Sequence, residues 1–82
     1  MPYIKQDRRI DLDDLVDALA ENLSYNGDLN YVLYALCKRF VPPSYNNYKN
    51  YIGELEECVV EIRRRILGPY EDIKIKENGD VE

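Results

Sequence analysis

The 82-residue sequence contains no histidine, no threonine and no tryptophan, and its only serines are Ser24 and Ser44. Without histidine, a Ser or Cys nucleophile lacks its usual base, and the most common metal ligand is missing. The four glycines lie far apart, at 27, 53, 68 and 79, so there is no phosphate-cradling loop. The Glu77-Asn78-Gly79-Asp80 stretch is no calcium loop either. Counting back from Gly79 puts Lys74 and Lys76 where the first carboxylate ligands belong. No apolar run is long enough to cross a bilayer, and the first residues carry no apolar signal core, so a cytoplasmic protein is expected. A net charge of −5 argues against general nucleic-acid binding or an anionic membrane coat. Paired carboxylates need a cleft that short helices rarely build. The chain reads as a non-enzyme with no cofactor and no metal.

Apolar residues make up 45% and charged residues 33%, the profile of a soluble globular chain. The length fits one domain, residues 1–82, but a chain this small hides only about 60% of its unfolded surface. Cys37 and Cys58 sit on apolar helical faces without metal or redox spacing and read as buried reduced thiols. With disulfide and metal set aside, homo-oligomerisation is the leading source of extra burial.

The periodicity predicts three antiparallel helices at about 11–25, 28–41 and 44–67. Asp11 is the expected cap of the first, whose inner face is Leu12, Leu15, Val16, Leu19 and Leu23. Asp28 should cap the second, with Leu29, Val32, Leu33, Leu36, Cys37 and Phe40 on one face and Pro42-Pro43 as its stop. Ser44 should cap the third. There Tyr45, Tyr48, Ile52, Leu55, Val59, Ile62 and Ile66 step alternately by three and four, a heptad seam. At ~1.5 Å per residue that helix is about 36 Å long, too long for two shorter helices to cover. Gly68-Pro69 should end it. The tail 70–82 alternates apolar and charged residues before Asn78-Gly79, which predicts a small terminal β element. The fold class is therefore mainly α, a three-helix antiparallel bundle with a long third helix.

Tyrosine is the over-used residue: eight Tyr against one Phe. A buried hydroxyl needs a partner, whereas interfaces and ligand pockets both suit tyrosine. Tyr31, Tyr34 and Lys38 fall at i, i+3 and i+7 on the polar side of helix two, beside Asn30. Such a stripe can stack a base and hold a phosphate, or it can be a subunit contact. Arg63-Arg64-Arg65 suits a helix C-terminus, yet three consecutive arginines point in different directions, leaving one or more for an anion. Charge is segregated as well. Residues 10–28 carry −6, 29–51 carry +3, 52–61 carry −4 and 62–65 carry +3.

Three blocks carry a resemblance: MPYIKQ at the start, GDLNYV at the opening of helix two, and the closing ELEECVVEIRRRILGPYEDIKIKENGDV. With them the chain resembles a domain-of-unknown-function family of small phage and bacterial proteins. The resemblance implies an accessory gene product and carries no catalytic or binding assignment to particular residues.

The reading that follows is a non-enzymatic oligomeric binding protein that sequesters a small anionic nucleotide-type signal, a phage counter-defence role. Asn30, Tyr31, Tyr34, Lys38, Arg64, Arg65 and Tyr70 are the candidate ligand residues. Tyr45, Tyr48, Tyr51, Ile52, Leu55 and Val59 are the candidate oligomer interface. The alternative is a module that docks a protein partner through the Tyr-rich seam. A concave pocket lined by both Tyr and Arg would favour the ligand, and a flat Tyr stripe without Arg the protein partner.

Overall fold

The structure, a computed structural model, describes residues 3–81, and among these residues there is helix but no strand. Helix α1 spans Gln6–Asn22, α2 Asp28–Phe40 and α3 Tyr45–Ile62. A π-helical turn, Arg63–Leu67, and α4, Gly68–Asn78, continue α3 without a break, so residues 45–78 form one long helical run of 34 residues. The mainly helical class and the long third helix are as the periodicity predicts. Residues 3–51 make one compact unit and residues 52–81 a second.

In the first unit α1 starts at Gln6 rather than at Asp11, because nothing between Gln6 and Ile10 breaks a helix. Arg8 and Asp11 pair along it at 3.6 Å, and the Arg9 Nε donates to the Ile4 carbonyl at 2.8 Å. Asp11 is thus an i,i+3 partner inside the helix and not its cap. The helix ends where the Leu23 N–H closes on the Leu19 carbonyl at 2.9 Å. Gly27 then takes a left-handed φ of 97°, which the lack of a Cβ permits. Asp28 does not cap α2 forward. Its carboxylate reaches back and accepts the N–H groups of Ser24 (2.9 Å) and Tyr25 (2.8 Å). Those two bonds hold its pKa below the ordinary carboxylate value.

Ser44 does cap α3: its Oγ accepts the Asn47 N–H at 3.0 Å. The Asn47 side chain answers by donating to the Pro42 carbonyl at 3.0 Å, so the double-proline turn is fixed at both ends. Tyr51 then ties α3 to α2, its hydroxyl donating to the Leu33 carbonyl at 2.5 Å. Val32, Leu33, Cys37 and Tyr51 are half-buried, and Val41 is the one buried residue among the described residues. Burial, followed by the nearby Cys37, pushes the Tyr51 hydroxyl above its usual pKa.

In the second unit Gly68-Pro69 does not end the helix. Proline at 69 offers no N–H and its ring would strike the carbonyl four residues back. The preceding turn widens to the π form instead, and the Gly68 N–H bonds the Arg63 carbonyl. A Cβ at 68 would lie 3.1 Å from that same oxygen, which accounts for glycine there. The expected terminal β element is therefore replaced: Tyr70–Lys76 is helical, and Pro69 sits within the continuous run just after the π turn. Cys58, read as buried, is exposed, and both thiols are free.

Tyr51→Phe should lower stability by about 1 kcal/mol, the net worth of a typical hydrogen bond. Because the hydroxyl's pKa is raised on folding, its contribution is complete below the ordinary tyrosine value and is lost as pH rises past it. Urea melts between neutral and strongly alkaline pH should show that loss in the parent and not in the variant. Asp28 behaves in the opposite sense. Its contribution is complete above the ordinary carboxylate pKa and falls away as pH drops below it, so Asp28→Ala should flatten the acid limb of the stability profile.

Candidate functional site

The α1 residues at helical spacing, expected to form the core, are open. Leu15 is 63% exposed, Val16 57% and Leu19 40%. With Leu12, Ala18, Asn22 and the α2 residue Leu36 they line a shallow groove of about 770 Å³ whose walls are almost wholly apolar. Leu29 and Phe40 on the apolar side of α2 are exposed too. These residues therefore do not form the expected core, because within residues 3–51 nothing closes over this side of α1.

The opposite side of α2 carries the predicted stripe. Tyr31 and Tyr34 are each 65% exposed, and Asn30 and Lys38 are exposed beside them. At the start of α3, Lys49 stacks its Nζ 5.2 Å from the Tyr45 ring centroid. Of the predicted interface tyrosines, Tyr45 and Tyr48 are open, whereas the Tyr51 hydroxyl is engaged by Leu33 within the chain.

In the second unit Arg64 is held by Glu61 through two bonds of 3.0 Å, from Nε and Nη2. Arg65 is the next residue of the π turn, and Tyr70 follows on α4, where Lys74 stacks 5.6 Å from its ring. Tyr70, Lys74 and Ile75 line a second shallow cleft of about 420 Å³ with Asn78 and Val81, and no arginine lines it. Of the candidate ligand residues, Asn30, Tyr31, Tyr34 and Lys38 belong to the first unit and Arg64, Arg65 and Tyr70 to the second. Ile52, Leu55 and Val59 continue the seam there, Leu55 half-buried and the others exposed.

The family model described as Domain of unknown function (DUF6899) matches residues 1–81. The chain belongs to this family. No curated protein and no solved structure matches. Membership in DUF6899 brings no activity with it, so the chemistry has to come from the residues. Among the described residues there is no cluster of three or more His, Cys, Asp or Glu side chains suited to a metal ion. Nor is any helix long and apolar enough to cross a membrane. The arrangement offers two kinds of contact: apolar grooves that fit a helix, and tyrosine–cation faces that fit a flat or anionic group.

Proposed function

We propose that this DUF6899 protein is a non-enzymatic, self-assembling helical binding protein whose bundle is completed by helices from other copies or from a protein partner. The observation that carries the reading is the α1–α2 groove. Leu12, Leu15, Val16, Leu19 and Leu36 form a continuous apolar surface on a water-exposed face. Leaving a leucine-sized side chain in water rather than burying it forgoes about 1.5–3 kcal/mol, so a surface of this kind marks an interaction site. An apolar groove between helices is the shape that takes the apolar face of another helix. On this reading the three-helix antiparallel packing suggested by the periodicity is reached between chains. No arginine lines the groove, which favours a protein helix over an anion as occupant.

A second reading, sequestration of a small nucleotide-type anion, is supported by one feature. Tyr31, Tyr34 and Lys38 present two exposed rings and an ammonium on one helix face. Taken by itself, the second unit has Arg64 and Arg65, residues suited to phosphate, with the Glu61 carboxylate bonded to the Arg64 fork.

The double variant Leu15→Glu, Leu19→Glu tests the first reading. The parent should melt at a temperature that climbs with protein concentration, as assembly-linked folding requires. The variant should melt lower than the parent at equal concentration, and a concentration-independent parent would refute self-assembly. For the second reading, calorimetric titration with mono-, di- and cyclic nucleotides should give binding that Arg64→Ala, Arg65→Ala abolishes without changing assembly. Binding unchanged in that variant would remove these arginines from the site.

A further inference from the structure

The second unit leaves a seam without a partner. Ile52, Val59, Ile62 and Ile66 are 47–65% exposed, and half-buried Leu55 lies between them at heptad spacing. The charges along this segment are sorted by position: Glu54, Glu56, Glu57 and Glu61 come first, and Arg63, Arg64 and Arg65 follow. Two copies packed in parallel would set glutamate against glutamate and arginine against arginine. Two copies packed antiparallel would set each acidic half against a basic half.

We propose that residues 52–66 form the docking face for a second copy of this chain, packed antiparallel about a two-fold axis between Val60 and Glu61. This inference rests on the self-assembly reading and gives it a surface, a direction and a register. With that axis, Val59 meets Ile62 of the second copy and Leu55 meets its Ile66, so these four central layers pair apolar with apolar, and Ile52 falls opposite Pro69. Glu56 directly follows Leu55 and Arg63 directly follows Ile62, so the two lie on the same flank of the seam. The register brings Glu56 of each copy against Arg63 of the other, giving two symmetric ion pairs. Neither residue has an ion-pair partner among the described residues of its own chain, whereas Glu61 is committed to Arg64. A parallel pairing offers Glu56 and Arg63 no partner of opposite charge, because Tyr51 and Cys58 occupy the facing flank.

Sedimentation equilibrium of the full chain at low ionic strength, with circular dichroism as a folding control, tests the register. Glu56→Arg and Arg63→Glu should each weaken the dissociation constant about tenfold or more, since each replaces two attractions by two repulsions. The double variant, carrying both substitutions, should return the association close to that of the parent. It contains the same changes as the single variants, so a folding defect caused by either would persist in it. An assembled parent whose single variants associate as tightly as it does overturns the antiparallel register while leaving self-assembly standing. So does a double variant at least as weak as the singles. A monomeric parent overturns both.

Discussion

Everything in this protein follows from a shortage of cover. Each helix carries an apolar face at regular spacing, yet residues 3–51 bury one residue, Val41, and residues 52–81 contain little besides a single helical run. Helices of this length owe most of their stability to packing of the apolar face rather than to propensity. The exposed leucines of α1 and isoleucines of the 52–66 seam are therefore the same fact twice: apolar faces that the described residues leave open. On the proposed reading, the α1–α2 groove and the antiparallel seam are the two places where a second copy would cover these faces.

What holds the described chain together is mostly local and polar. Ser44 with Asn47, Asp28 with Ser24 and Tyr25, and Tyr51 with Leu33 each satisfy backbone groups that a loop or helix end would otherwise expose. They define where helices start and turn without burying much surface. Such contacts fix direction at low energy, as the proposed self-assembly would require of a subunit stabilised further by association.

The local signals of helix geometry were readable where one residue decides the outcome. Ser44 caps α3 and Pro42-Pro43 ends α2, each for the stereochemical reason the sequence suggests. The reading failed where a residue had a competing option. Asp11 has the chemistry of a cap but pairs with Arg8 inside a longer helix, and Asp28 reaches backward instead of forward. At Gly68-Pro69 a helix stop was expected, but a π turn absorbs the missing N–H, and with the helix intact the alternation of Tyr70–Lys76 no longer signals a strand. The apolar faces themselves were legible. Whether a face meets its own chain or another is set by how much chain remains to fold over it, which periodicity alone does not reveal. The Tyr31–Tyr34–Lys38 stripe was likewise legible as a face, and its exposure agrees with either kind of contact.

Native mass spectrometry of the full chain at micromolar concentration tests the central claim most directly, because it counts subunits and detects any retained small molecule at once. The account predicts an even multiple of the 9.7 kDa chain mass as the dominant species. A dominant 9.7 kDa monomer, its charge-state distribution that of a folded chain, would contradict it and leave the exposed apolar faces without their explanation.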